Sequence, residues 1–325
     1  MATLSCQLID DAEACLKGQI RRTPVEYSPK LSDSLGQPAT LKLECFQVTG
    51  SFKVRGAYFR LSLLSQAEAD AGVASCSAGN HGIAMAYAGN KLGIAVTIYV
   101  PRDIDQAKYQ AMLALGAEVV RSELPGYDDT LAWASQQAAR TSKCFISAFD
   151  DYAIMAGNGG TLAAELIRQV PDARTFVVPV GGGGLSAGFV FYAKAKLPDC
   201  TIIGCQHELS PALKLSLETG KAVTRLPAVD TVAGGIEGGI GAKCFAVLAG
   251  VIDRVALVSE AEIFDAFNWT LANHQYLVEP TAAVPLAACI SGKVGKIESP
   301  ICVVISGRNV AMTTIKQMLE HNDSH

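Results

Sequence analysis

The 325-residue chain has no CxxC pair among its ten cysteines, no internal repeat, no low-complexity tract, and no apolar run long enough to span a bilayer. Several thiols, such as Cys76, Cys205 and Cys302, sit inside apolar strand-like runs, so the set reads as reduced core residues. An excess of one charge is also lacking. The 27 basic and 31 acidic residues are interspersed and leave a formal charge of −4, with no basic stripe to neutralise a phosphate backbone, which argues against a nucleic-acid partner. The first residues, MATLSCQLIDDAEACLKG, carry acids where a signal peptide is basic or apolar, so a soluble, cytoplasmic protein without membrane contact is expected. What is abundant is apolar surface. Half the residues are hydrophobic, enough for a substantial core in two modest domains or one large α/β unit.

From about residue 73 onward, short β-branched runs alternate with longer helical periods, the pattern of a parallel sheet covered by helices. Strands are predicted at 72–75, 95–100, 118–120, 144–147, 175–180, 201–205, 254–258 and 301–305, with an earlier one at 40–44. Helices are predicted at 80–92, 105–115, 127–141, 161–170, 185–196, 259–273, 281–291 and 310–321, with one more following Lys53. Ser259 and Glu262 have the spacing of a capping box. The stretch FDDYAIMAGNGG, rich in glycine, reads as a change of chain direction between two α/β units. The first 65 residues are too poor in elements for a core of their own and are assigned to the second unit.

Four segments carry chemistry. In TGSFKVRGA, Lys53 follows a glycine turn at the start of an apolar-periodic helix, where partial desolvation would make its amine a nucleophile toward an aldehyde; taken alone it better fits an ordinary surface lysine, and only its context changes that. In VGGGGLSAG, between a strand and a helix, four glycines free successive N–H groups to cradle a phosphate at the helix N-terminus. The same run fits GxGxxA across Gly182, Gly184 and Ala187, but the next strand, TIIGC, leads to Gln206 where a dinucleotide fold wants an acid. In SAGNHG, again between strand and helix, N–H groups and small polar side chains can grip a carboxylate, or simply form an Asn/Gly turn and cap. SGRN places Ser306 at the carboxyl end of a strand, where ligands bind in open sheets or where a helix needs a cap.

Together, and in this order, TGSFKVRGA, SAGNHG, PVGGGG and ISGRN resemble the fold type II pyridoxal 5′-phosphate (PLP) enzymes, in their serine/threonine dehydratase and serine racemase branch. LKLECFQ and VEPTAAV extend the likeness over almost the whole chain. The resemblance implies an α/β fold of the tryptophan synthase β type, with two open parallel sheets flanked by helices. A small substrate-gripping domain (66–151) would be inserted in a large cofactor-binding one (1–65 and 152–325). It implies that Lys53 holds the cofactor and removes the substrate's Cα proton, that Phe52 packs beside the ring, and that Asn80 bonds its phenolic oxygen. Gly181, Gly182, Gly183 and Gly184, with Leu185, would hold the phosphate, and Ser306 would face the pyridine nitrogen. Ser77, Ala78, Gly79, Asn80 and His81 would receive the substrate carboxylate. The implied reaction removes water and then ammonia from a small 3-hydroxy amino acid such as L-threonine or L-serine, and the implied assembly is a homodimer.

Two departures shape the expectation. Racemases of the branch carry a serine where this chain has Ala78, and a methyl group cannot reprotonate Cα. Their divalent-cation carboxylates align with Gln206, Ser210 and Ala212, with Glu208 out of phase, so no metal site is expected. QVTGSFK, VAGGIEGGIG and ISGRN are also similar to the hydroxyectoine-utilisation dehydratases, which points to Glu237 in substrate selection or to a plain loop carboxylate. His207, His274, His321 and His325 are expected at the surface or at caps. A lyase, a racemase of the same fold, and a binder using the glycine run alone all remain open at this point.

Overall fold

The computed structural model describes residues 3–124 and 127–320. Its strands are β1 Val25–Tyr27, β2 Ala39–Leu43, β3 Val73–Cys76, β4 Val96–Val100, β5 Glu118–Arg121, β6 Cys144–Phe145, β7 Thr175–Pro179, β8 Thr201–His207, β9 Arg254–Val258 and β10 Ile301–Ile305. They form two sheets. The larger has the order β1-β2-β10-β7-β8-β9 and is parallel except for β1; the smaller has the order β5-β4-β3-β6 and is parallel throughout.

Both faces of each sheet are covered, which is why the strands read as continuous apolar runs. In β7, Phe176 and Val178 pack with Phe189 and Val304 on one face, whereas Val177 packs with Val303 and Leu286 on the other. The small sheet repeats the alternation. Ile98 joins Met85 and Met112 on one side, and Tyr99 joins Ala134 and Ala138 on the other, edge-on to Trp133.

The predicted elements from 73 to 305 occur with small shifts at their ends. The Ser259–Glu262 box closes in both directions, at 3.3 and 2.7 Å. Other expectations need correction. In FDDYAIMAGNGG the chain bends only at Phe149 to Asp151, and the glycines do not turn it: helix Tyr152–Met155 runs through a π-helical turn, Ala156–Gly160, into Thr161–Gln169. Its glycines serve close packing. A Cβ on Gly159 would lie 1.8 Å from Leu185 O, and one on Gly188 would lie 1.9 Å from Met155 O, so this helix and Gly184–Lys196 touch backbone to backbone. Strand β1 and the helices Cys6–Leu16, Pro29–Leu35, Gln66–Ala71, Ala212–Thr219 and Ala242–Leu248 fall where no element was predicted. Nor are His207 and His274 surface groups. His207 is buried against Glu260, and the His274 ring is held by Ser28 and Glu26. His321 and His325, and the end of the helix predicted at 310–321, lie outside the described residues.

Beneath the helix Lys53–Ser62 lies a nearly dry ionic network. Arg55 binds Glu44 through Nε and Nη2, both at 2.8 Å, and reaches Glu165 at 3.1 Å. Lys42 on β2 donates to Glu165 at 2.5 Å, to Gln169 and to the Thr23 carbonyl. Two cations and two carboxylates thus balance. Burial lowers the pKa of Lys42 against the opposing influence of Glu44 and Glu165. Lys42→Met is expected to cost about 3–5 kcal/mol of unfolding free energy, because two buried carboxylates would share one cation. Urea denaturation measures it, and a loss under about 1 kcal/mol would show that the network has no such energetic weight.

Candidate active site

Lys53 opens its helix, and the chain before it is sewn to the turn after β10. Phe52 N donates to Ser306 O at 3.1 Å, Arg308 N donates to Gly50 O at 2.9 Å, and Ser51 pairs with Gly307 in an isolated bridge. The amine is thereby fixed over the carboxyl end of the large sheet. Its Nζ donates to Ala148 O at 3.1 Å and stands 5.3 Å from the centre of the Phe52 ring. Burial pulls its pKa down to about 8, with Cys244 and Glu279 pulling weakly the other way. Such an amine is a usable nucleophile and base near neutral pH.

A cavity of about 1030 Å³ opens around it. Every site residue singled out from the sequence lines this cavity: Phe52, Lys53, Ser77 to His81, Gly181 to Leu185, Glu237 and Ser306. On one side are the glycines after β7. Gly183 has φ +96°, a left-handed conformation suited to glycine, and it precedes a helix that starts without a side-chain cap. The run also lies at backbone distance from its neighbours. A Cβ on Gly182 would meet the Phe149 ring at 2.4 Å, and one on Gly183 would meet Cys244 Cβ at 2.6 Å. Among the described residues the N–H groups of Gly181 to Leu185 have no acceptor, so they and the helix dipole are free for an anion.

Also lining the cavity, the loop after β3 leads into Asn80–Leu92, another helix with no side-chain cap. Ser77 Oγ turns inward to accept from Gly79 N at 3.2 Å. The His81 ring points away to Ser75 Oγ at 3.1 Å, and burial drives its pKa well below 6.5, with Lys53 adding to the effect. His81 is therefore a neutral group whose contribution at the cavity is its backbone. Glu237 is half-buried in the wall and accepts from Val229 N at 3.1 Å. Around the positions aligned with a cation site, Gln206 spends its side chain on Val180 O and Lys214 N, and the Ser210 hydroxyl accepts from Gly238 N.

Sequence reasoning missed Glu279 and Asn309. Glu279 immediately precedes the proline that starts Pro280–Ile290, a place where an acid reads as a helix cap, yet its side chain makes no cap bond and instead accepts from Asn80 Nδ2. Asn309 lay within a quoted motif, but nothing in its local pattern signalled a partner in SAGNHG. Cys244, beside Gly183, donates its thiol to Phe149 O at 3.3 Å, and burial raises its pKa well above 9.

The residues present fit pyridoxal 5′-phosphate. A phosphate cradle of free N–H groups stands on one side. The buried Ser306 hydroxyl, with no hydrogen-bond partner, could face a ring nitrogen, and the Lys53 amine opens into the same cavity, where it could meet an aldehyde.

Comparison with known proteins agrees. The chain is 35% identical over 314 residues to an L-threonine ammonia-lyase of Geobacter sulfurreducens, covering 96% of this chain and 77% of that protein. Among solved structures, the processed form of threonine deaminase isoform 2 from Solanum lycopersicum superposes with a TM-score of 0.90 at 33% identity, covering 97% of this chain and 92% of that one. Maize serine racemase superposes with a TM-score of 0.89 at 29% identity, covering 100% and 99%. The model of the pyridoxal-phosphate dependent enzymes matches residues 16–307, and the chain belongs to that family.

Proposed function

We propose that this protein is an ammonia-lyase that removes water and then ammonia from a small 3-hydroxy amino acid, such as L-threonine or L-serine, leaving a 2-oxo acid. The observation that carries the reading is the meeting of Lys53 with two uncapped helix N-termini, at Gly184 and at Asn80, in one cavity of a chain similar to threonine ammonia-lyases. The large domain (1–65 and 152–325) would hold the cofactor and the small one (66–151) the substrate. The enzyme would work as a cytoplasmic homodimer.

The cofactor supplies an electron sink that acidifies the substrate's Cα–H. The rest falls to the chain. Gly181 to Leu185 would hold the phosphate through N–H groups, Phe52 would lie by the ring, Asn80 would donate to the phenolic oxygen, and Ser306 would meet the ring nitrogen. A hydroxyl there would not keep that nitrogen protonated as a carboxylate would, so the electron sink would be weaker and suited to elimination. N–H groups of Ser77 to His81 would bind the substrate carboxylate, and Lys53 Nζ would take the Cα proton on one face. Glu237, in the wall of the cavity, would sense the substrate's side chain and could direct the enzyme to a less common hydroxy amino acid.

Similarity to serine racemase supports a second reading, amino-acid racemisation. Ala78 speaks against it. The half-buried methyl at the cavity wall offers no proton to the face opposite Lys53.

Lys53→Ala is expected to abolish ammonia release and the visible absorbance band gained on adding pyridoxal 5′-phosphate, with the circular-dichroism spectrum retained; full turnover by the variant would refute the assignment. A lowered amine pKa also fixes a pH profile. Because only the neutral amine attacks an aldehyde, the rate of cofactor capture by cofactor-free protein should rise with pH and reach half its plateau at about 8. Spectral stopped flow measures this, and a half-point at the ordinary lysine value of 10.5 would mean that the amine is not desolvated. Ala78→Ser is expected to raise the ratio of D-serine to pyruvate formed from L-serine by about tenfold or more, read by chiral chromatography. Unsubstituted enzyme yielding D-serine as readily as pyruvate would show that another acid faces the substrate.

A further inference from the structure

The amide of Asn80 in the cavity wall is bonded at both ends. Its Nδ2 lies 2.7 and 2.9 Å from the two oxygens of Glu279. The oxygens of one carboxylate subtend too narrow an angle at that nitrogen to take both of its hydrogens. One N–H is shared between them, and the other is left over. At the far end of the amide, Asn309 Nδ2 donates to Asn80 Oδ1 at 2.7 Å and to Thr49 O at 2.8 Å.

Side-chain amides can be turned either way, presenting nitrogen or oxygen to a neighbour. Here both neighbours choose the same way, because an ionised carboxylate only accepts and an amide NH2 only donates. Glu279 is itself held. Its backbone N–H donates to Gly307 O at 3.1 Å, and Gly307 leaves no room for a side chain, since a Cβ there would lie 2.3 Å from Glu279 Oε1. A carboxylate placed to cap Pro280–Ile290 is thus spent on a loop that belongs to the other sheet.

We infer that Glu279 is a positioning residue, which locks the Asn80 amide so that its remaining N–H, and never its oxygen, is offered to the electron-rich phenolic oxygen of the cofactor. This rests on the proposed role of Asn80 as a cofactor ligand. The same clamp ties the small-sheet loop to the turn after β10, so the hydrogen bond to the cofactor and the junction of the sheets are one device. Burial raises the pKa of Glu279 to about 6, opposed by the Asn80 bond and by the cations Lys108 and Lys53; Cys45 is a further titratable neighbour. The carboxylate is ionised at pH 7.5 and becomes a donor as well as an acceptor once the pH falls below its pKa, where the lock should loosen.

The test is titration of cofactor-free protein with pyridoxal 5′-phosphate, reading affinity and the absorbance maximum, for the unsubstituted chain, Glu279→Gln, Asn80→Ala and the double variant. Each single change should weaken binding about tenfold and shift the maximum, and the double variant should bind about as well as Asn80→Ala, because Glu279 acts mainly through Asn80 and pulls only weakly on Lys53. The advantage of the unsubstituted chain over Glu279→Gln should also shrink as pH is lowered from about 7.5 to about 5.5, a ratio in which the titration of the cofactor cancels and that of Lys53 largely does, since Glu279 pulls only weakly on its amine. Additive losses in the double variant, or a Glu279→Gln variant with unchanged affinity and maximum, would overturn the inference while leaving the cofactor site intact. Should Glu279→Gln fail to fold, Asn309→Ala removes the opposite clamp and should weaken binding and shift the maximum in the same direction; no change there would overturn the inference equally. Absence of any visible band in the unsubstituted protein, or its persistence in Lys53→Ala, would refute the cofactor site itself and this inference with it.

Discussion

Arg55 lies two residues beyond Lys53 and is bonded at once to Glu44, just after β2, and to Glu165 in Thr161–Gln169, so the helix carrying the amine cannot slide or turn without stranding a buried charge. Lys42 completes the balance from β2 itself. In net free energy such a network gives little that packed apolar side chains would not. Its effect is positional. Alternative packings of this helix would leave an ion uncompensated in a medium of low dielectric, whereas an oily interface would tolerate many of them. The stitching of Gly50 to Phe52 onto Ser306 to Arg308 works from the other side of Lys53, and the amine is caught between the two.

Around that fixed point the protein presents dipoles more than charges. Two uncapped helix N-termini, one from each sheet, face the cavity, and burial pushes the ionisable groups around it toward their neutral forms. Lys53 is eased toward its free base, His81 is kept neutral, and Glu279 is brought close to protonation. Oriented N–H groups need no counter-ion when the ligand departs, so the same cavity can accept an anionic cofactor and then an anionic substrate without rearranging its own charge.

Much of this could be read along the chain, and what could not has identifiable causes. Strands buried on both faces announce themselves by composition, so β7 and β10 were visible as TFVVP and ICVVI. β1 was not, because three residues at an antiparallel edge carry no period. The glycines at 157, 159 and 160 looked like a turn because local propensity cannot know that other helices pack closely against them. The site residues that were legible sit in loops whose chemistry is local: a glycine run before a helix, or a lysine after a turn. Glu279 and Asn309 act through partners some 200 residues away in sequence, as the separations of 199 and 229 residues to Asn80 show, and no local signal encodes such a meeting. His207 and His274 erred in the same way, since their carboxylate partners arrive from other elements.

The buried cysteines bear on selectivity among nucleophiles. An enzyme that must capture an aldehyde on one amine carries ten free thiols, and thiols in their ionised form attack aldehydes faster than amines do. Burial raises Cys45 and Cys289 to about 12, and Cys244, the thiol beside the cradle, is also pushed well above its ordinary value. At neutral pH only about one molecule in 10⁵ would carry a thiolate at a group of pKa 12. Burial that eases the Lys53 amine toward its free base thus keeps these sulfurs protonated, and low dielectric favours nitrogen for the aldehyde by acting in opposite senses on a cationic acid and a neutral one.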